Sequence, residues 1–578
     1  MKASIAKLRP SPLLGDMTAY EALRFSDKSP VDLYLEGNEG PAPKAEIFDK
    51  VVALGPEIIR RYPSTKPLEN QLAEMLGIEP NRVVVTAGAD DALERAIRAL
   101  GSPGREMILP VPTFEMIGRY ASLAGCHIVE VPWLTGAFPL EKMISAISPN
   151  TSVITVVTPN SPTGLAVSRD DLKSLSLAAP DALLLVDLAY IDFADEDLTS
   201  AVLELPNAVA VRTLSKAWGL AGLRVGFACG NPQAIGWMRV TGHPYAVSSL
   251  SLKMASEHLM SSSGEVKKFT IRIKRERDEL SELLNQFTKV SGEKSNANFV
   301  FGRYQDALWA RDALRGLGIA VRGYPGKKYL DDALRITLPG NKGDFERLKT
   351  GLRTVFTPQA ILFDIDDTLV DVSQSYRKAT IETALEFGVT ITGEDISRAK
   401  AGGDANNDWE LTHRLVCQKD SSVTLEQVTE KFEQLYQGTD DNNGFCKTEK
   451  MLIDRNLLVR LAARYALGIV TGRPRSDAIA FLEREGIAPL FQAVITMDDG
   501  PLKPNPEPVR LALQRLGVSR GWFIGDTPDD IRSARGAGVL PLAVIAPADD
   551  PDLAAPALLR AGAARVLTDL SQLEELLP

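Results

Sequence analysis

Arg212–Phe227 reads RTLSKAWGLAGLRVGF and Ile361–Val370 reads ILFDIDDTLV, and in both an apolar strand-like run ends on reactive polar side chains. The first sets Lys216 among Thr213, Ser215 and Arg224; the second sets Asp364 and Asp366 two residues apart. A lysine amine kept partly deprotonated by neighbouring cations can condense with an aldehyde. Two carboxylates at alternate positions of a strand can be aimed at one site beyond its end. Two chemistries therefore stand on one chain, and the product of the first is a candidate substrate for the second.

Outward from these stretches the pattern is α/β. From Asn81 onward RVVVTAG, EMILPVP, SVITVVTPN, ALLLVD and AVAVRTLS alternate with amphipathic segments such as DALERAIRAL and RDDLKSLSLAA. Such alternation predicts βα units and a mainly parallel sheet buried on both faces. A long helical stretch and a smaller α/β segment (ANFVFGRY, LGIAVRGYP, ALRITLPG) follow, so a large domain over about 45–265 and a small one over about 1–44 and 266–356 are expected. A fresh βα pattern starts at AILFDIDD after a linker of a few residues that contains Pro358, too short for a flexible tether. This second domain, 358–578, resumes its strands at YALGIVTG, FQAVITMD, GWFIGD and LPLAVIA; the polar, helical stretch over about 372–455 is expected to cap its site.

At 578 residues the chain exceeds what one core supports. Hydrophobic residues at 44%, charged residues at 24% and a net charge of −10 give no reason to expect nucleic acid or an anionic membrane as partner. MKASIAKLRPSPLLGD lacks the apolar run of a leader, no stretch approaches a membrane span, and a cytoplasmic location is expected. Cys126, Cys229, Cys417 and Cys446 have no CxxC spacing and read as structural thiols.

Around Lys216, the hydroxyls of Thr213 and Ser215 and the guanidinium of Arg224 suit a phosphate, and the cluster implies pyridoxal 5'-phosphate. Upstream, Gly88, Ala89 and Asp90 follow a strand and open a helix whose free N–H groups could hold that phosphate. Asp187 ends ALLLVD, where a carboxylate could keep a pyridine nitrogen protonated. Asn160 in TPNSPTG and Tyr190 are candidate donors to a phenolic oxygen, and Phe114 in VPTFEM could stack on a ring. Each alone is equally a turn asparagine, a capping aspartate or a core aromatic.

Taken together, RYP, GADD, PTFEM, PNSPTG, VDLAY, RTLSKAWGLAGLR and LRITLPG make residues about 30–355 resemble the fold type I aminotransferases, and among them the histidinol-phosphate aminotransferases. The resemblance implies a homodimer in which Tyr62 reaches the cofactor phosphate of the neighbouring subunit. It also implies that Arg335 in LRIT binds the amino donor's carboxylate, and Arg322 in AVRGYP is the candidate for a substrate phosphate. The sequence departs from the family at Asn38-Glu39-Gly40-Pro41, Phe114, Ser161, Leu188 and Trp218.

In the second domain Asp364 is the candidate nucleophile for a phosphoryl group and Asp366 the acid/base for the leaving alcohol and then for water. Thr471 after ALGIV is a hydroxyl donor, Lys503 in LKPNP a fixed charge, and Asp526 and Asp530 in GDTPDD can hold or orient a magnesium ion together with Asp364 and Asp366. GDTPDD is equally a well-capped helix start. In that order these motifs resemble the haloacid dehalogenase-like hydrolases with a helical cap after the first motif. Asp366 favours an ester phosphatase, because members that cleave phosphonates or halides generally lack that acid. In the cap, GGDANNDWELTH (Gly402–His413) is either a reader of the leaving group through Asn407 and Trp409 or a turn between helices.

The two resemblances imply successive steps of histidine biosynthesis. Glutamate would aminate imidazole acetol phosphate to histidinol phosphate, and a magnesium-dependent phosphatase would release histidinol. The alternative is an aminotransferase for another phosphorylated or aromatic keto compound with a phosphatase of different specificity in specialised metabolism. A third reading, a C-terminal module without catalysis, is disfavoured by the complete motif set.

Overall fold

Alternate residues of the longest sheet face opposite cores. Val83, Val85, Ile154, Val156, Ala208 and Ala210 belong to one buried apolar cluster, while Val84, Val153, Val157, Val209 and Val211 belong to another. That is the burial expected of strands covered by helices on both sides. The structure is a computed structural model and describes residues 9–15, 17–19, 30–287, 290–403, 406–419, 421–439 and 442–578. Most of the segment read for a leader (1–8 and 16) and residues 404–405 of the cap segment lie outside the described residues.

Strand β1 (Leu33–Leu35) precedes the strands of the large sheet: β2 (Val83–Thr86), β3 (Glu106–Val111), β4 (His127–Pro132), β5 (Thr151–Val157), β6 (Leu183–Asp187), β7 (Ala208–Thr213) and β8 (Gly226–Gly230). These seven are ordered β2-β8-β7-β6-β5-β3-β4. Pairings among β3 to β7 are parallel, and β8 runs antiparallel to both β2 and β7. A smaller sheet takes β9 (Val290–Gly292), β10 (Phe299–Tyr304), β11 (Ile319–Gly323) and β12 (Ala333–Thr337) in the order β1-β11-β12-β10-β9.

A second parallel sheet is built from β13 (Ala360–Phe363), β14 (Ala466–Val470), β15 (Ala493–Ile495), β16 (Gly521–Gly525), β17 (Leu540–Val544) and β18 (Arg565–Leu567), ordered β15-β14-β13-β16-β17-β18. The chain leaves β13 for β14 on one side and later returns to β16 on the other. The crevice at the carboxyl ends of these three strands is the switch point at which such sheets bind ligands.

By packing, the chain forms two units. Among the described residues, one comprises 9–15, 17–19, Leu35–Ala307 and Arg322–Phe345; the other comprises 30–34, Leu308–Val321 and Glu346–Pro578. In the second unit the buried Trp522 of β16 meets Trp309 edge-on at 5.4 Å and donates through Nε1 to the Thr354 carbonyl at 2.8 Å. Those contacts draw Leu308–Val321 and Glu346–Phe356 into the unit that holds the second sheet.

Between β13 and β14 the helices Tyr376–Glu386, Gly393–Gly402 and Asp408–Cys417 share an apolar cluster that includes Ala384, Ile396, Leu411 and Val416, and Leu425–Gln437 brings Phe432 against Tyr376. The cap expected as all-helical also carries two short antiparallel pairings, Val370–Asp371 with Lys450–Met451 and Gly438–Thr439 with Asn442–Asn443. Capping boxes at Thr392 and Thr424 start two of its helices. No helix among the described residues is long and apolar enough to cross a membrane.

Candidate active sites

At the carboxyl edge of the large sheet Asp187 closes β6, Thr213 closes β7, and the next turn carries Ser215 and Lys216. The helix Gly88–Leu100 begins just beyond β2 and leaves its first N–H groups without helical partners. A cavity of about 110 Å³ is lined by Lys216, Asp187, Tyr190 and Phe114 together with Ala89, Asp90, Thr213, Ser215 and Arg224. Gly88 sits at φ +81°, and a Cβ there would stand 2.6 Å from Arg224 Nη2, so the bare glycine leaves the guanidinium room beside the helix start. Arg224 itself has left-handed backbone and pairs with Asp90 at 2.8 Å.

Lys216 Nζ donates to the Gly37 carbonyl at 2.9 Å and lies 5.7 Å from the centre of the Tyr190 ring. The lysine turn is held from outside by a close backbone crossing. A Cβ on Gly40 would meet the Lys216 carbonyl oxygen at 1.8 Å, and one on Gly219 would meet the Pro41 oxygen at 1.9 Å. Burial would raise the Tyr190 phenol, but Lys216, Arg335 and a hydrogen bond from Asn38 Nδ2 at 2.9 Å outweigh it and hold the phenol below its ordinary value. Burial pushes Asp187 up to about 7, against one hydrogen bond from the Ala189 N–H. A carboxylate buried this way calls for a cationic partner.

Two expected residues stand differently. Asn160 does not face the cavity: its amide donates to the Pro112 carbonyl at 3.0 Å and to Thr163 Oγ1 at 2.8 Å, and its oxygen accepts from Thr113 Oγ1 at 2.7 Å. It pins two loops, and Ser161 beside it lines the cavity instead. Tyr62 is 81% exposed, stacks on Tyr245 at 4.4 Å and is not part of the lining of the Lys216 cavity.

Phe114, Ser161, Tyr190 and Lys216 also border a larger cavity of about 460 Å³, which receives Arg322 and Arg335. These two arginines are direct cross-strand partners in the β11–β12 register. Like charges at directly opposed positions repel. Arg335 is partly satisfied by Ser161 Oγ at 3.2 Å and the Glu36 carbonyl at 2.6 Å, but its buried Nε has no hydrogen-bond partner. Arg322 lies over the Tyr324 ring, 5.6 Å from its centre.

In the second sheet Asp364 follows β13, Thr471 follows β14 and Asp526 follows β16, all buried. Oxygens of Asp364, Asp526 and Asp530 lie within 4.8 Å of one another. Lys503 Nζ stands 2.9 Å from Asp364 Oδ1, pairs with Asp530 and donates to the Val470 carbonyl at 3.2 Å. Asp530 turns its other oxygen to Thr527 Oγ1 at 2.6 Å, so the capped helix start and the lysine clamp are one structure. Burial lifts Asp364 to about 7, with Lys503 opposing and Asp530 and Asp366 adding to the rise. Burial and three neighbouring acids lift Asp526 well above the carboxylate range, and its Oδ2 has no hydrogen-bond partner. This oxygen donor set, with an orphaned carboxylate oxygen, fits a hard divalent cation such as magnesium.

Asp366, expected among the metal-holding carboxylates, does not join that group. Its Oδ1 accepts from Arg473 Nε at 2.8 Å and Nη2 at 2.6 Å, because the fully buried arginine has no water to solvate it. Arg473, which also reaches Glu449 at 2.8 Å, escaped the sequence reading although it stands two residues past Thr471. Asp367, at φ +52°, is paired with Arg377 at 3.0 Å and Lys400 at 3.4 Å from two cap helices; nothing local in the sequence announces these partners. Asn407 and Trp409 share a small cleft with Asp366, but Asn407 Oδ1 caps the helix Asp408–Cys417 and Trp409 Nε1 donates to Glu433 at 3.0 Å.

Residues 49–351 match the model of the aminotransferase class I and II family, and the chain belongs to that family. Residues 361–544 match the haloacid dehalogenase-like hydrolase model, so a hydrolase domain of that kind follows the aminotransferase on the same chain. The chain is 31% identical over 312 residues to histidinol-phosphate aminotransferase 1 of Nostoc sp., covering 53% of this chain and 86% of that protein. It is 33% identical over 333 residues to the Pectobacterium atrosepticum histidinol-phosphate aminotransferase, covering 56% and 91%. A 48% match over 197 residues to an imidazoleglycerol-phosphate dehydratase of Phytophthora nicotianae covers 33% of this chain and 44% of that protein, less than half its length. The crystal structure of histidinol-phosphate aminotransferase from Sinorhizobium meliloti in complex with pyridoxal-5'-phosphate shares the aminotransferase fold, with TM-score 0.54 and 23% identity over 60% of this chain and 97% of that one.

Two outcomes follow from the buried carboxylates. An acid whose folded value lies above its unfolded one costs stability increasingly as pH rises from the unfolded value of 3.8 to the folded value of about 7. Asp187→Asn is therefore expected to raise the melting temperature of the cofactor-free protein, by about 2–4 °C at pH 8 and by less at pH 5. Magnesium is expected to raise the melting temperature of the unmodified protein, and Asp526→Asn to abolish that shift while lowering phosphate release from an ester on the order of 100-fold.

Proposed function

We propose that the chain catalyses two successive reactions: transfer of the amino group of glutamate to imidazole acetol phosphate, giving histidinol phosphate and 2-oxoglutarate, and magnesium-dependent hydrolysis of that ester to histidinol. The observation that carries the reading is the direct pairing of Arg322 with Arg335 in a cavity that also holds Lys216. Two opposed guanidinium groups suit a substrate set that is both carboxylate and phosphate, Arg335 for the donor's carboxylate and Arg322 for the acceptor's phosphate.

Pyridoxal 5'-phosphate, when bound, supplies an aldehyde carbon and an electron sink. Thr213, Ser215, Arg224 and the N–H groups of the Gly88–Asp90 helix start would hold its phosphate, Asp187 its protonated ring nitrogen, and Tyr190 its phenolic oxygen. Phe114 would pack on the ring face. Lys216 Nζ takes the proton from the substrate's α-carbon and returns one to complete the transfer. In the proposed working species, a homodimer acting in the cytoplasm, the exposed Tyr62 would reach the cofactor phosphate of the second subunit.

In the hydrolase domain Asp364 attacks phosphorus and takes the phosphoryl group, while Asp366, oriented by Arg473, protonates the departing alcohol oxygen and then deprotonates the attacking water. Thr471 donates to a phosphoryl oxygen and Lys503 offsets its charge. Asp364 and Asp526 would hold magnesium, which adds neutralisation of the phosphoryl oxygens, with Asp530 fixing Lys503.

The purified protein, given histidinol phosphate, 2-oxoglutarate, pyridoxal phosphate and magnesium, is expected to form glutamate and free phosphate independently. Lys216→Ala should cut glutamate formation by about 1,000-fold or more and leave phosphate release intact; Asp364→Asn should do the reverse. The absence of either product from the unmodified protein, or loss of both in one variant, contradicts the reading.

A further inference from the structure

The cap contributes a second carboxylate, Asp408, to the lining of the cleft that Asp366 borders. The cations around it are already matched. Arg473 reaches Asp366 at 2.6 Å and Glu449 at 2.8 Å; Arg377 reaches Asp367 at 3.0 Å and Asp549 at 2.8 Å; Lys400 stands 3.4 Å from Asp367. Among the described residues Asp408 is left without an ion pair of its own.

The residue is also fixed in place. Its carbonyl accepts from Thr412 Oγ1 at 2.6 Å, and the Asn407 cap receives the N–H groups of Trp409 and Glu410 at 3.0 and 3.2 Å. Trp409, held by Glu433, and Met497 supply apolar wall to the same cleft. Burial pushes the Asp408 carboxyl up to about 6, Lys400 opposing and Asp366 and Asp367 adding to the rise, so at neutral pH it is largely ionised at a cost that a cationic ligand would relieve.

What the first domain makes supplies that cation. Whatever its keto substrate, transamination converts a carbonyl into a primary amine that is protonated at neutral pH, so the phosphorylated product differs from its precursor by one positive charge close to the ester. We propose that Asp408 binds this ammonium group and makes the hydrolase select phosphate monoesters of amino alcohols over the corresponding keto phosphates. Dephosphorylation then waits for amination, because the keto ester leaves Asp408 unpaired in the cleft while the amino ester neutralises it. The inference rests on reading the Asp364 site as a phosphomonoesterase.

The test is kcat/KM for phosphate release, with magnesium, from histidinol phosphate and from imidazole acetol phosphate in the full chain. The unmodified protein is expected to favour the amino ester by about 100-fold, and Asp408→Asn to lower that ratio by about 30-fold, whichever way the individual values move. A ratio near one in the unmodified protein, or one unchanged in the variant, overturns the proposal while leaving the phosphatase standing. No phosphate from either ester contradicts the phosphatase itself and the proposal with it. Should the variant fail to fold, product inhibition of the unmodified protein decides: histidinol should inhibit at least ten-fold more tightly than the same alcohol lacking the amine, and equal inhibition overturns the assignment.

Discussion

Buried carboxylates that the chain leaves without adequate partners govern both halves of this molecule. Asp187 at the end of β6 and Asp526 just past β16 are both buried, one with a single backbone hydrogen bond and the other with an orphaned oxygen among three further acids. Isolated ions in such places cost several kcal/mol. Sheets whose strands are apolar along their whole length tolerate them only at the carboxyl ends, where a ligand can complete the charge balance. The proposed chemistry of each site answers that imbalance, with a protonated ring nitrogen to pair with Asp187 and a divalent cation to bridge Asp364 and Asp526.

Where the chain does supply counter-charges, it uses them to orient. Lys503 is clamped between Asp364 and Asp530, and Asp530 is in turn the capping-box partner of Thr527 at the start of its helix. Arg473 holds Asp366 through two nitrogens and ties it to Glu449, so the proposed acid/base is oriented by a residue outside the recognised motif set. Arg377 and Lys400 carry cap helices to Asp367, one residue from that acid. Cap position and acid orientation are thereby coupled through salt links with little room for alternatives.

Much of this was legible in the residues themselves. Runs such as SVITVV and ALLLVD are fully buried strands, and the apolar strands ending on Asp187, Asp364 and Thr471 sit where the alternating pattern puts them. What stayed hidden depends on contacts distant in sequence. Asn160 looks like a ring donor in TPNSPTG, but its amide is consumed by Pro112 and Thr163. Asp366 reads as a second metal-facing acid from spacing alone, yet an arginine more than a hundred positions on turns it away. The opposition of Arg322 and Arg335 is a matter of register between β11 and β12, which no local pattern encodes.

The central claim is that one chain carries a single carbon skeleton through amination and then dephosphorylation. Incubating the pyridoxal phosphate-loaded protein with magnesium, glutamate and ¹³C-labelled imidazole acetol phosphate, and following the label by NMR, tests it most directly. The account predicts labelled histidinol, with histidinol phosphate as a transient and no dephosphorylated ketone. Label that stops at histidinol phosphate, or that appears first in the dephosphorylated ketone, would contradict it.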